Sequence, residues 1–282
     1  MPFRTTVITG ATSGIGKETA LALAKKDHAL YLLVRDTAKG EQLKKDLIQQ
    51  TGNRSIFVVY CDLADLQTVK EAADQLKGKL FAINTLINNA GGINAQRHES
   101  KDGVELTFAM NHLGHFLLTL SLMPLLEKGQ ARIINVSSEA HKMGKVLMLN
   151  DVQFKDYSSF GAYALAKLSN IWFAKALAER YGSRGITAYA LHPGVVKTSF
   201  GSELGGFGKI LMVLAKPFMI TPQQGAQTSI YLASEVKLSP KLSGQYFKKR
   251  KVANTNLAAQ NVSARNKLWQ ISEQLIEPFV AS

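Results

Sequence analysis

The sequence predicts an α/β fold, a single doubly wound parallel β-sheet flanked by helices on both faces, and three observations carry that prediction. Short β-branched or aromatic runs alternate with longer segments of helical period along most of the chain. Alternation of this kind needs crossover helices between parallel strands, and right-handed crossovers place those helices on both faces of the sheet. The 282 residues are 46% hydrophobic and 20% charged, a balance that allows one large core inside a water-compatible surface. No internal repeat, low-complexity tract or Gly/Ser linker divides the chain, so residues 1–282 are expected to form one domain.

The expected strands are TTVIT near residue 5, ALYLLV near 29, SIFVVY near 55, NTLINNA near 84, ARIINVS near 131 and GITAYAL near 185. Each is short, apolar and rich in β-formers, as strands buried on both faces must be. A turn at Lys241 to Gly244 precedes a last strand at QYF. Between them GKETALALAKK, EQLKKDLIQQ and LQTVKEAADQLKG repeat apolar residues at helical spacing. Two longer helices follow, GVELTFAMNHLGHFLLTLSLMPLLEK and AYALAKLSNIWFAKALAERYG, and a polar helix ends near Ile276. Binding sites of such sheets form at the carboxyl ends of the strands.

Charge and cysteine use narrow the function. Thirty-four basic against 21 acidic residues give a net charge of +13, which attracts phosphorylated cofactors, lipid head groups or nucleic acid. No nucleic-acid recognition motif accompanies the charge, so nucleic acid is not expected as a partner. Cys61 is the single cysteine, which excludes an intrachain disulfide and fits a reducing compartment, with a cytoplasmic location expected. The amino terminus, MPFRTTVITGATSGIG, has no apolar run of signal-peptide length. Nothing in the chain approaches the roughly 18 to 20 apolar residues of a membrane span.

The first strand runs into Gly10-Ala11-Thr12-Ser13-Gly14-Ile15-Gly16, and a helix follows at once. Glycines there let the backbone turn and approach a pyrophosphate, whose charge suits the unpaired N–H groups at the helix start. This is the dinucleotide cradle of a Rossmann-type sheet. The second strand ends at Val34-Arg35-Asp36. Arg35 offers a planar cation suited to a 2′-phosphate and so points to NADP(H), whereas Asp36 would suit a 2′-hydroxyl if the strand ended one residue later. After the third strand, Asp62 and Leu63 are placed to meet the adenine; after the fourth come Asn89, Ala90 and Gly91. Asp62 could equally cap the next helix, and the asparagines make a turn.

Tyr163 and Lys167 are four residues apart in GAYALAK, on one helix face, and no other tyrosine has a lysine at that spacing. A fixed cation beside a phenol draws its pKa of about 10 toward neutrality, as proton transfer requires. Ser138, just past the fifth strand, supplies a hydroxyl, and Asn111, in mid-helix, an amide able to hold a kink and a water.

These motifs, TGATSGIG, NNAG, Asn111, Ser138, YALAK and His192-Pro193-Gly194 with Thr198, resemble the short-chain dehydrogenase/reductase family in order and over nearly the whole chain. VRDTAKGE, FAMNHLGHFLLT and INVSSEAH resemble its retinol-dehydrogenase-like branch. The resemblance implies that Tyr163 is the catalytic acid/base, with Lys167 as its partner and ribose ligand. It implies that Ser138, rather than Ser137, polarises the carbonyl, and that Asn111 anchors a water. Pro193, Gly194, Val196 and Thr198 would hold the nicotinamide end and phosphates. The implied activity is NADP(H)-dependent reduction of a lipophilic aldehyde or ketone, or oxidation of the alcohol, with retinal or an apocarotenoid foremost. The branch often carries an amino-terminal membrane anchor; here the first strand begins almost at residue 3, so no anchor is expected.

A substrate lid is expected at about 199–222, where Phe200, Phe207, Ile210, Leu214 and Phe218 form an apolar run beside lysines. That run and KKRK at 248–251 suggest peripheral membrane contact. The resemblance implies a homodimer through the long fourth and fifth helices. His112 and His115 share a helix face without a third ligand, so packing beside Asn111 is expected of them rather than metal binding. The competing reading is a cofactor-binding regulatory or scaffolding protein without turnover; the complete set of reactive residues argues against it.

Overall fold

A computed structural model describes residues 4–196 and 219–280. The expected strands form as β1 (Thr5–Thr9), β2 (Ala29–Val34), β3 (Ile56–Tyr60), β4 (Thr85–Asn88), β5 (Arg132–Val136), β6 (Thr187–His192) and β7 (Tyr246–Lys248). They lie in the order β3-β2-β1-β4-β5-β6-β7, all parallel, and β8 (Lys251–Val252) closes the edge antiparallel to β7. The order reverses between β1 and β4, which opens a crevice at their carboxyl ends. Val7 and Leu86 face one apolar core, Ile8 and Ile87 the other. Both faces of the central strands are therefore buried, which is why they read as largely apolar runs, whereas the edge strand β3 leaves Phe57 and Tyr60 exposed.

β8 was not expected from KKRK. Lys248 pairs with Lys251 across a two-residue turn whose Lys249 and Arg250 have φ of 51° and 62°. Glycine or asparagine usually takes these left-handed positions in tight hairpins, so the sequence carries no turn signal there.

Helices α1 (Gly14–Ala24), α2 (Thr37–Thr51) and α3 (Leu66–Lys79) follow the first three strands as expected. The long fourth helix is not one helix. α4 (Leu106–Phe108) passes into a π-helical turn (Ala109–Leu113), then α5 (Gly114–Ser121) and α6 (Met123–Lys128). Pro124 has no N–H to continue α5 and so starts a new helix. Gly114 is needed where this helix crosses the β3 exit, since a Cβ there would lie 2.7 Å from the Leu63 carbonyl oxygen.

α7 (Ser159–Tyr181) carries GAYALAK and is capped by Ser158, whose hydroxyl accepts from the Gly161 N–H. After β6 come α8 (Pro222–Ser234) and α9 (Val262–Val280). α9 lies against α5 and α7: Trp269 is buried, its ring 4.9 Å from Phe116 and 6.1 Å from Phe173, with the Arg180 guanidinium 4.3 Å over it. The face through which the resemblance implied a homodimer is thus covered by the chain's own last helix. A dimer built there would have to displace it.

Candidate active site

The cradle forms because three backbones approach one another closely. Gly10 has φ of +66°, and a Cβ there would lie 2.8 Å from Ala90 Cα; one on Gly16 would lie 2.1 Å from the Gly10 carbonyl oxygen. β1, α1 and the loop after β4 therefore meet at a point where no side chain fits. Ser13 precedes α1 without capping it, and no acidic residue lies in its first turn. The first N–H groups of α1 are left for an anion, as a pyrophosphate needs. Thr12 is half-buried and Ser13 exposed beside them. A Cβ on Gly225 would meet Ile15 at 3.2 Å and Val196 at 2.6 Å, so the exit of β6 closes against the cradle.

Asn89 holds this arrangement from below. Its amide donates to the carbonyls of Thr9 (2.9 Å) and Gly10 (3.2 Å), and the backbone N–H groups of Asn89 and Ala90 both donate to Thr9 Oγ1 at 3.0 Å. Its side chain shapes the loop, while Ala90 and the exposed Gly91 line the crevice.

At the end of β2, Arg35 is exposed and Asp36 is otherwise engaged. Asp36 caps α2, accepting from the Lys39 N–H at 3.0 Å, with Lys39 Nζ 3.2 Å away. Those bonds hold its carboxyl below the usual range. Asp62 accepts from the Ala64 N–H at 3.0 Å and is half-buried at the β3 exit, whereas Asp65 takes the helix-capping position. Leu63 is buried against Gly114.

The reactive groups converge at Gly91. A Cβ there would lie 2.3 Å from Asn111 Oδ1 and 3.1 Å from Lys167 Nζ, so only glycine admits both. Asn111 lies in the π-turn, donating to Gly92 O at 2.8 Å and Thr107 O at 2.7 Å. Its Oδ1 is buried and accepts no hydrogen bond among the described residues. Lys167 donates to Val136 O at 3.1 Å, and its ammonium lies 5.4 Å from the Tyr163 ring centroid.

Ser137 and Ser138, which spacing did not distinguish, part here. Ser137 is buried and donates to Lys167 O at 2.6 Å, fixing α7 against β5. Ser138 accepts from the Ala140 N–H at 3.2 Å and hydrogen-bonds the Tyr163 phenol. Burial pushes the phenol up, with the Ser138 bond acting against it, and burial brings Lys167 down to about 7. The direction for Tyr163 is opposite to that expected from sequence. Desolvation acts on the cation as well as on the phenol, so Lys167 itself tends toward neutrality.

Pro193 and Gly194 leave β6 toward the same edge; Gly194 has φ of +106° and packs against Ile220. Thr198, and residues 199–218 of the lid expected at about 199–222, lie outside the described residues; of the remainder, Ile220 pairs with Val196 and Pro222 begins α8.

Sequence reasoning missed a second group behind Ser138. Glu139 accepts from Tyr246 Oη (3.2 Å) and pairs with Lys142 (2.6 Å) and Lys248 (3.5 Å), while its N–H donates to His192 Nδ1 at 3.3 Å. Burial works to raise the Glu139 carboxyl, yet the Lys142 bond, Lys248 and His192 bring it to about 2. The opposite charges of Glu139 and KKRK were the available signal, but they stand over 100 residues apart. His112 and His115 are both buried, His112 bonded to Ser272 of α9 and His115 to Thr9 of β1, and the described residues hold no cluster suited to a metal.

A doubly wound sheet with an uncapped glycine cradle, and a serine, tyrosine and lysine at the same edge, defines a nicotinamide-dependent oxidoreductase. The short chain dehydrogenase family model matches residues 4–206, and the chain belongs to that family, in its retinol-dehydrogenase-like branch. It is 39% identical to mouse (Mus musculus) retinol dehydrogenase 12 over 98% of this chain and 87% of that one. It is 36% identical to human (Homo sapiens) retinol dehydrogenase 13, over 98% and 85%. Among solved structures, an NADPH-bound carbonyl reductase from chicken fatty liver matches with a TM-score of 0.66 and 26% identity, covering 90% of this chain and 100% of that one. The substrates are accordingly small alcohols or carbonyls. No helix among the described residues is long and apolar enough to cross a membrane.

Proposed function

We propose that the protein is an NADPH-dependent carbonyl reductase, reversible as an alcohol dehydrogenase, acting on a lipophilic aldehyde or ketone, with retinal and apocarotenoids first among candidates. The observation that carries this reading is the linked set in which Ser138 bonds Tyr163, Lys167 lies over the Tyr163 ring, and Lys167 and Asn111 meet at Gly91 beside the cradle. When bound, the nicotinamide supplies the hydride. Ser138 orients and polarises the carbonyl oxygen, and Tyr163 delivers the proton to that oxygen. Lys167 stabilises the phenolate left behind. Asn111 Oδ1, an unsatisfied buried acceptor beside Lys167 Nζ, is suited to holding a water that returns the proton. In this reading Gly10, Thr12, Ser13, Gly14, Ile15 and Gly16 bind the pyrophosphate. Asp62 and Leu63 meet the adenine, and Asn89, Ala90, Gly91, Pro193, Gly194, Val196 and Thr198 flank the remainder.

NADPH is favoured because Asp36 is engaged as the α2 cap while Arg35 stands exposed at the β2 exit. Arg35→Ser is expected to raise KM for NADPH at least 10-fold with little change for NADH; equal effects on both would sink the assignment. Tyr163→Phe is expected to bind cofactor normally and to lose 10²- to 10⁴-fold in kcat, about the worth of one general acid. Wild-type turnover in that variant would end the mechanism. Oxidation of NADPH with retinal, apocarotenal, steroid and short-chain carbonyls ranks the substrates. A protein that binds NADPH and reduces none of them is the scaffolding alternative.

Peripheral contact with an anionic lipid surface belongs to the same proposal. Met143, Leu147 and Leu257 are strongly exposed, and Asn256 ties the last of these to the turn after Ser138 by donating to Gly144 O at 3.2 Å. The exposed Lys249, Arg250 and Lys251 add charge to that side. Co-sedimentation with phosphatidylserine vesicles at low salt, lost at high salt, is the expected result; no binding at low salt removes the idea.

A further inference from the structure

Two buried histidines sit at the bend in the helix that carries Asn111, and they face opposite ways. His112 faces α9, with Nε2 2.9 Å from Ser272 Oγ. His115 faces the sheet. Its Nδ1 is 3.1 Å from the Asn111 carbonyl oxygen and its Nε2 is 2.9 Å from Thr9 Oγ1.

The protons on the His115 ring can be assigned. A carbonyl only accepts, so His115 Nδ1 carries the proton and donates to Asn111 O. Nε2 of the neutral ring then has only a lone pair, and the Thr9 hydroxyl donates to it at 2.9 Å in preference to the Ile87 carbonyl at 3.4 Å. That oxygen in turn accepts the Asn89 and Ala90 N–H groups. One chain of hydrogen bonds therefore runs from the loop under the cofactor crevice, through Thr9 and His115, to the backbone of Asn111. The ring is 1% exposed, and burial holds it neutral.

The link matters because the helix bends here. In the π-turn the Gly114 N–H bonds the Ala109 carbonyl five residues back, a register that is poor unless something outside the helix favours it. The imidazole supplies that outside contact one turn from the Asn111 side chain. We propose that His115 is a positioning residue, a strut that pins the π-turn to Thr9 and so fixes Asn111 against Gly91 and Lys167. This rests on the reading of Asn111 as the anchor of the proton path; the strut itself is a statement about the protein alone.

Two measurements on the full chain separate the strut from that reading. Side-chain ¹⁵N shifts of histidine-labelled protein are expected to show His115 as the Nδ1–H tautomer from pH 5.5 to 8, and an Nε2–H tautomer would overturn the strut. His115→Leu is expected to lose about 10- to 100-fold in kcat, as a displacement of about 1 Å would cause, with the carbonyl KM within twofold. His115→Asn, which keeps a donor near Asn111 but cannot reach Thr9, is expected to lose part of that and serves if the leucine variant does not fold.

His112→Leu, at equal burial on the same helix, is expected to keep kcat within twofold; equal kcat losses in the two leucine variants would reduce His115 to packing. Thr9→Val is expected to add less than its own effect when combined with His115→Leu, both in kcat and in NADPH affinity measured by fluorescence, while Thr9→Ser restores wild-type behaviour. Full additivity would sink the coupling. A wild-type protein that binds NADPH yet reduces no carbonyl would sink the proposed activity, and the tautomer and the binding cycle would still judge the strut.

Discussion

One helical segment, α4 through α5, presents two sides that differ in purpose though each carries a buried histidine. Toward the sheet, His115 bonds Thr9 and the segment turns Asn111 to the crevice. Toward α9, His112 lies among Phe108, Phe116 and Phe173 and bonds Ser272. The first side is directional, each bond with one partner of fixed geometry; the second is held mainly by aromatic area. Residue type and burial do not distinguish a site from a core. What distinguishes them is whether the partner chain of hydrogen bonds ends at the crevice.

The largest expected effect tests the aromatic side. Trp269→Ala removes a buried indole that touches Phe116 and Phe173, and truncation of a core tryptophan costs about 3–5 kcal/mol. Urea melts should show that loss with kcat per folded molecule unchanged at low temperature. A matched fall in kcat would mean that α9 sets the catalytic geometry and that the two sides are not independent.

Acid should act on both sides alike. His112 is lowered to about 3 and His115 to about 4, in each case chiefly by burial. The unfolded chain therefore binds protons near pH 6.5 that the folded protein refuses. Stability is full above pH 6.5 and falls as the pH drops toward the folded values, by about 1.4 kcal/mol per pH unit for each such histidine. His28 and His192, each lowered to about 4, add to the slope. Denaturation between pH 7 and 5 should show it, and His112→Leu should flatten it by up to one proton; an unchanged slope would mean that His112 is not held neutral.

These contrasts also explain which features were legible in sequence. The central strands were, because burial on both faces leaves a largely apolar run. Tyr163 and Lys167 were, because four-residue spacing is a local signal. The His115–Thr9 bond spans 106 residues and the His112–Ser272 bond 160, and no local pattern reports such pairs. The π-turn at Asn111 was legible only as a polar residue in an apolar helix. β8 was hidden because Lys249 and Arg250 occupy left-handed positions without the usual turn residues.

A smaller effect is expected on the directional side. Ala90→Gly alters the residue whose N–H meets Thr9 without removing that N–H, and adds backbone freedom to the loop under the crevice. Replacing alanine with glycine costs roughly 0.5–1 kcal/mol through the unfolded state. NADPH affinity should weaken several-fold while the urea midpoint moves little. The reverse pattern would place the loop's role in stability rather than in binding.

The smallest effect belongs to the rim of α9. Arg265 pairs with Glu179 of α7, whose side chain is largely exposed. Arg265 itself is only 13% exposed, so salt screens the pair less than one lying wholly in solvent, and its worth is about 1 kcal/mol. Glu179→Ala should therefore lower the urea midpoint slightly at low ionic strength and by less in molar salt, with kcat unchanged in both. Arg265 also lies near Lys175 and depresses its pKa after burial has done so, and removing Glu179 leaves those two cations facing each other. If that repulsion loosens α9, the salt dependence reverses and added salt stabilises the variant. Either sign leaves the aromatic side in charge of α9; a change in kcat would not, because it would carry a surface charge's influence across α7 to Lys167.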